Sequence, residues 1–470
     1  MGQASTGNGP ATRTWWRSTS GTSSRGIGDF LKAGGGLPGA SRDPIRGPDL
    51  RPPFHFSRYD VPVTKRQRIR RKRRAVDGRI APSAARLGAI SLRLLAWFSA
   101  NAREMEWRET RDPYRVWISE IMLQQTRVET VAPYYRRFLG AFPAVEALAG
   151  ASPDAVMKAW EGLGYYARAR NLHRAAVEVV REFGGRVPST VEELSSLPGV
   201  GRSTAGAIAA LAFGRDAPIL DANAKRVIAR LLSVQEDLSR PEAVRLLWDA
   251  SAGLILPGRG RETALALMDL GAMVCLPRAP KCAICPLASL CEGRRDGVEE
   301  RIPARRRRRE IPHRSAAAAV ILDGRGRVFI ARRPPEGLLG GMWEFPGGEP
   351  AQGESPERFL VREIRIRWGM TIAAPERLPP VRHAYSHFRV TLVPVRFLRR
   401  AGAAPKGGEW RWISPEELEK VPFPGAARKL IARAFPEIRS AATPATARPA
   451  PSRSPSHVPV RTRRGGRTPS

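Results

Sequence analysis

The chain of 470 residues holds four cysteines, and they fall together as Cys275-x6-Cys282-x2-Cys285-x5-Cys291. Four thiols this close in sequence can meet around a metal ion or a metal–sulfur cluster, because thiolates are the ligands that both accept. Zinc modules usually bring two C-x2-C knuckles, and this chain has one. A disulfide framework would spread its cysteines along the chain, so the grouping points to a reducing compartment.

Two carboxylates stand where acid–base chemistry could be done. Glu120 lies in WISEIMLQQT, residues 117–126, flanked by Trp, Ile, Met and Leu. Desolvation there favours the protonated carboxyl, as a general acid requires. The plainer alternative is a Glu on the wet face of a helix. Asp221 and Asn223 lie in PILDANAKRV, residues 218–227, just ahead of a helical run. Helix N–H groups would hold Asp221 ionised there, or Asp221 would simply be an N-cap. Between the two carboxylates, LPGVGRSTA at 197–205 reads as a tight glycine turn feeding a helix. Such a helix start offers free N–H groups to a phosphate; an ordinary helix–helix turn is the bland reading.

The elements that would position these groups follow from composition and periodicity. Lys and Arg number 79 against 44 Asp and Glu, a formal charge of +35. Residues 1–80 carry +12 of this and 441–470 carry +6, leaving +17 on the middle of the chain. A field of that sign attracts polyanions, nucleic acid first. Residues 1–82 are rich in Gly, Ser, Arg and Pro, include the run KRQRIRRKRR at 65–74, and read as a disordered basic extension. From 83 to 295 the chain reads as helical, with Leu87, Ile90, Leu94 and Trp97 at helical spacing, proline in a first turn at Ser152-Pro153, and a capping-box pattern at 190–193. An arginine-rich linker at 296–314 contains five consecutive arginines, 305–309. From 315 to 438 the pattern becomes α+β: strand-like runs at 316–322 and 328–331 around the turn DGRG, a helical stretch at 355–368, and β-type residues at 388–397. A Pro/Ser/Arg tail, 439–470, closes the chain. No apolar run approaches a membrane span, so no membrane partner is expected.

Taken with GLGYYARARN at 162–171, these stretches closely resemble the adenine DNA glycosylase (MutY) family, within the endonuclease III or helix-hairpin-helix glycosylase superfamily. The resemblance runs from about residue 90 to 291 and continues into the second domain. It implies an all-α helix-hairpin-helix domain with a [4Fe–4S] module at 275–291, held by Cys275, Cys282, Cys285 and Cys291. It implies that Glu120 protonates adenine at N7, while Asp221, with Asn223 alongside, stabilises the sugar cation. The base must first leave the duplex. Gln125, Leu163 and Tyr165 match residues that wedge into the base stack, and Arg108 matches a base-contacting position. Leu197, Gly199 and Gly201 belong to the DNA-gripping hairpin. Ser203 stands where strand-cutting relatives carry a Schiff-base lysine, which implies base removal without efficient strand cleavage. Ala222 replaces the family's usual glycine, and Leu265 stands where Gln or Glu is typical.

In the second domain, Gly348-x5-Glu354-x7-Arg362-Glu363 resembles the Nudix box. Ile366 and Arg367 occupy the places of the two metal-binding glutamates, so a Nudix-like fold without phosphohydrolase chemistry is expected. A domain of this kind is a mark of the MutY family, where it recognises 8-oxoguanine. Tyr385, Ser386 and His387 match the lesion-contacting loop, with Tyr385 in place of phenylalanine. The implied partner is double-stranded DNA with adenine opposite 8-oxoguanine or guanine, met by a monomer in a bacterial, nucleoid-associated cytoplasm. Two other readings stand beside this one: a bifunctional pyrimidine-lesion glycosylase/lyase like endonuclease III, and a non-catalytic DNA-binding iron–sulfur protein.

Overall fold

The computed structural model describes residues 82–304, 310–385, 387–400, 402 and 404–437. The basic run at 65–74, the five arginines at 305–309, Ser386 and the C-terminal tail lie outside the described residues. In chain order the helices are α1 (Ala84–Asn101), α2 (Pro113–Leu123), α3 (Val128–Ala141), α4 (Val145–Ala149), α5 (Pro153–Ala159), α6 (Ala167–Phe183), α7 (Val191–Ser196), α8 (Arg202–Phe213), α9 (Ala222–Leu231), α10 (Pro241–Gly253), α11 (Gly260–Met273), α12 (Glu292–Arg295), α13 (Pro356–Trp368) and α14 (Gly425–Ala434). The strands are β1 (His313–Leu322), β2 (Val328–Arg332), β3 (Trp343–Glu344), β4 (Gly347–Gly348), β5 (Ile372–Arg377), β6 (Val381–Ala384), β7 (Arg389–Arg399) and β8 (Trp410–Ile413). Contacts divide the described chain into two compact units, 104–213 with 310–437, and 82–103 with 214–304.

The first unit has a helical half and a sheet half. In the helical half the starts are set by the side chains the sequence placed there. Asp112 accepts from the Tyr114 N–H at 2.9 Å ahead of Pro113, Ser152 from the Ala155 N–H at 3.2 Å ahead of Pro153, and Thr190 from the Glu193 N–H at 3.2 Å. These bonds satisfy N–H groups that have no partner within the helix. Helix α2 is buried along most of its length, with Trp117, Ile118 and Met122 fully enclosed, and α8 packs against it.

The sheet half is mixed. Strands β1 and β7 pair in parallel over ten residues, from His313 opposite Arg389 to Leu322 opposite Leu398, and the remaining strands pair antiparallel around them. Side chains alternate across β1 with the period of a strand. Ala317, Ala319 and Ile321 join Phe359 and Ile364 of α13 in one core, while Ala318 and Val320 join Leu430 and Ile431 of α14 in the other. The turn between β1 and β2 is held by Asp323, whose Oδ1 accepts from the Arg325 and Arg327 N–H groups, both at 2.9 Å.

The second unit is helical. Helix α1 packs on α10 and α11, and α9 packs on α10, α11 and α12. Ser91 is fully buried and donates to the Leu254 carbonyl at 2.6 Å. The Arg86 guanidinium pairs with Glu292 and donates to the Leu290 carbonyl at 3.0 Å, tying α1 to the cysteine-bearing end of the unit. Among the described residues no helix is long and apolar enough to cross a membrane.

Candidate functional site

In the first unit, Glu120 lies near the end of α2, half-buried, between fully buried Ser119 and Ile121. Its wet-face alternative is therefore only half right. The C-terminal end of this helix is held by Arg168 of the GLGYYARARN stretch, a residue with no role expected from sequence. Its Nη1 donates to the carbonyls of Ile121 at 2.9 Å, Met122 at 2.7 Å and Gln124 at 2.6 Å. Its Nη2 donates to the Thr126 hydroxyl and the Gly164 carbonyl, both at 3.1 Å. Burial lowers its pKa only to about 10, so it stays charged at neutral pH. One guanidinium thus satisfies the open carbonyl end of α2 and ties it to the loop 162–165. A helix end rich in free carbonyls followed downstream by arginine-bearing YYARAR is the signal that could have found it.

Both segments joined by Arg168 display a residue in left-handed backbone. Gln125, with φ +57°, and Tyr165, with φ +49°, are both exposed. Non-glycine residues pay for that conformation, so the fold must enforce it. The enforcement is visible: the Trp160 indole donates to the Gly164 carbonyl at 3.1 Å, and the Gly162 N–H donates to the Tyr166 hydroxyl at 3.2 Å. Gly162 itself has φ +95°, and a Cβ there would meet the Tyr134 hydroxyl. Leu163, expected to be displayed beside them, is buried at 5 % exposure and anchors the loop. Arg108 sits half-buried in a short 3-10 turn, Glu106–Arg108.

The glycine turn joins α7 to α8. Leu197 and Val200 are buried beneath it. Gly199 has φ +79°, and a Cβ there would approach Asn171 Cβ to 2.7 Å, so both conformation and packing require glycine. Gly201 faces open space and is exposed, which leaves the backbone at the start of α8 open to approach. Ser203 is the second residue of α8, and its neighbour Thr204 accepts from the Gln124 amide at 3.2 Å, joining the hairpin helix to the end of α2. In the sheet half, Tyr385, His387 and Phe388 lie between β6 and β7, where the Tyr385 N–H donates to the Phe388 carbonyl at 2.8 Å. His387 is exposed. The Tyr385 ring packs on His383 at 4.6 Å and Phe388 at 4.8 Å, and burial pushes its hydroxyl up to about 12.

The Nudix-type segment keeps its helix but not its charges. Ile366 is 70 % exposed, and the Arg367 guanidinium lies 4.4 Å over the Trp368 ring. Glu354 is paired with Arg362, and buried Glu344 with Arg333 at 2.6 Å.

In the second unit, Asp221 is the N-cap of α9, accepting from the Ala224 N–H at 2.7 Å. Its acidity departs from expectation. Burial pushes its carboxyl up, and the Ala224 and Asn223 N–H groups and the Arg226 charge pull it down without cancelling that push. Ala222 is the first residue of α9 with no left-handed angle, so alanine fits where glycine is usual. The Asn223 Oδ1 accepts from Arg226 Nη2 at 2.9 Å, and Arg226 Nε donates to the Cys275 carbonyl at 2.8 Å. A two-residue relay therefore links Asp221's helix to the first cysteine. Leu265 is buried in α11.

Cys275, Cys282, Cys285 and Cys291 line one cavity. Among the described residues no three His, Cys, Asp or Glu side chains form a single-ion site. Burial, with neighbouring thiols adding to it, pushes Cys285 up to about 11 and raises Cys291, and burial with the Glu299 charge and Cys275 raises Cys282. Arg230 borders the same cavity, 2 % exposed, donating to Cys275 Sγ at 3.3 Å, with its buried Nη2 lacking a protein partner. Four thiols and a buried cation suit an anionic metal–sulfur cluster.

Comparison with known proteins defines the class first. Residues 118–251 match the HhH-GPD superfamily base excision DNA repair proteins, and residues 317–433 match the NUDIX domain. Adenine DNA glycosylase of Homo sapiens is 33 % identical over 72 % of this chain and 72 % of its own length, and that of Buchnera aphidicola subsp. Baizongia pistaciae (strain Bp) is 35 % identical over 72 % and 95 %. The chain belongs to the adenine DNA glycosylase family, hydrolases that cleave N-glycosidic bonds in base excision repair.

Proposed function

We propose that this chain, as a monomer, removes adenine mispaired with 8-oxoguanine or guanine from double-stranded DNA and leaves the strand uncut. Glu120 delivers the proton that makes adenine a neutral leaving group, and Asp221, steadied with Asn223, stabilises the cationic sugar left behind. Gln125 and Tyr165 enter the stack as the nucleotide is extruded, Arg108 contacts bases, and the 197–201 hairpin with the start of α8 grips a phosphate. Ser203 has no amine and forms no Schiff base. Tyr385, Ser386 and His387 read the oxidised guanine. Cys275, Cys282, Cys285 and Cys291 hold a [4Fe–4S] cluster, which when bound supplies a rigid anionic anchor for the end of the helical domain.

The observation that carries this reading is the Arg168 clamp. It makes the acid-bearing helix and the two exposed left-handed residues one rigid piece, so the displayed side chains are fixed relative to the proton donor. The test offers duplexes with adenine opposite 8-oxoguanine, adenine opposite guanine, and thymine glycol, and measures free base and nicked strand separately. Adenine release without nicking, and no borohydride-trapped adduct, is the expected outcome. Thymine glycol release or a trapped adduct in high yield overturns it in favour of a lyase like endonuclease III.

A further inference from the structure

Two donors of the sheet half find their acceptors in the helical half of the same unit. The Trp343 indole N–H is fully buried and donates to Asp154 Oδ2 at 3.1 Å. The Phe423 backbone N–H donates to Glu161 Oε1 at 3.2 Å. Each carboxylate also takes an arginine from the sheet half: Arg332 Nη2 reaches Asp154 Oδ1 at 2.5 Å, and Arg428 reaches both Glu161 oxygens, Oε2 at 3.1 Å. Glu161 and Arg428 are only 14 % and 19 % exposed, so this pair is little screened. Arg428 is itself fixed by the Leu418 carbonyl at 2.8 Å, and Lys158 closes the other side of Glu161 at 2.6 Å. A third contact runs from Arg170 Nη1 to the Gly340 carbonyl at 2.8 Å.

The place of these carboxylates in the chain gives them a consequence. Asp154 is the second residue of α5, and Glu161 immediately precedes the loop 162–165 that displays Tyr165. The segment that presents Tyr165 therefore also seats the domain whose hairpin tip carries Tyr385 and His387.

We infer that Asp154 and Glu161 are positioning residues for lesion choice, holding the sheet half so that its hairpin tip and the 162–165 loop address one lesion together. The inference rests on the reading of that tip as the 8-oxoguanine contact. Neither carboxylate acts on the base being removed. Their loss should leave excision opposite guanine unchanged and remove the advantage given by 8-oxoguanine.

The experiment measures single-turnover adenine release opposite 8-oxoguanine and opposite guanine, with the full chain carrying its cluster. In Asp154→Ala/Glu161→Ala the ratio of the two rates should fall by about tenfold, a positioning loss, with the guanine-opposed rate within about twofold of wild type. Asp154→Asn keeps an acceptor for the Trp343 indole while losing the charge that faces Arg332, and should fall between. If wild type shows a preference and the double variant keeps it, the inference is wrong. If both rates drop together, by the same factor in the Asn variant, the carboxylates are merely structural and the inference is again wrong. If wild type shows no preference at all, the lesion-reading role of the tip fails, and the inference falls with it.

Discussion

Replacing Arg168 with lysine keeps the charge and removes the fork. The guanidinium makes five close bonds, three from Nη1 to carbonyls at the end of α2 and two from Nη2 to Thr126 and Gly164. An ammonium has three protons at one point and cannot serve both sides. At least two charge-assisted bonds are lost, at about 1.5 kcal/mol each, or about 3 kcal/mol together. Water reaches this half-buried site and rehydrates part of what is freed, so about 2 kcal/mol is the working figure. For a unit of this size that is roughly 4–8 °C in Tm. Gln125 and Tyr165, held at φ +57° and +49°, would relax toward ordinary backbone, and a displacement near 1 Å costs about a hundredfold in rate. Thermal unfolding followed by circular dichroism, with single-turnover adenine release, reads both numbers. A lysine variant that melts within a degree or two of wild type and excises at the wild-type rate refutes the clamp.

Three other outcomes follow. Arg226→Gln breaks the relay from Asn223 to Cys275, and should slow excision by about ten- to a hundredfold, the usual cost of disturbing the support of a metal ligand such as Cys275 is proposed to be; the visible absorption of the proposed cluster should also bleach faster in air, and unchanged bleaching would show the relay to be idle. Buried Glu344 is pushed up to about 7 by desolvation that its partner Arg333 does not cancel. A carboxyl raised in the folded state contributes stability that is complete below about pH 4.5 and lost as pH climbs to about 7, up to about 3 kcal/mol in this case. Glu344→Gln should therefore flatten the pH dependence of urea unfolding between pH 5 and 7, and an unaltered slope would contradict that burial. Gly199→Ala should weaken duplex binding, because left-handed backbone and the Asn171 contact both oppose a methyl; equal affinity by fluorescence anisotropy would show that the turn tolerates it.

Local features were the legible part of this chain. Helix starts at Ser152 and Thr190 could be read because a cap and its N–H lie three residues apart, and the structure has them. The apolar run at 316–322 marked a strand, but its two faces, packed on α13 and α14, had no alternation in sequence to announce them, and β3 and β4, two residues each, carry too little pattern to be seen. At Asp221 the plain N-cap reading proved structurally correct, but its charge balance was misjudged, since desolvation depends on neighbours distant in sequence. Arg168 had no role assigned because its partners at the end of α2 and at Thr126 lie 42 to 47 residues away, and the Asp154–Trp343 bond spans 189. Such pairs follow from tertiary packing, and no pattern within one segment names both partners.

The central claim is that Glu120 supplies a proton and Asp221 answers the charge that develops. Its most direct measurement is single-turnover adenine release by wild type, Glu120→Gln and Asp221→Asn on a duplex with adenine opposite 8-oxoguanine, with the affinity of each protein for that duplex measured alongside. Both variants should bind as wild type does and release essentially no adenine. Excision at near wild-type rate by the Glu120→Gln protein would contradict the account outright.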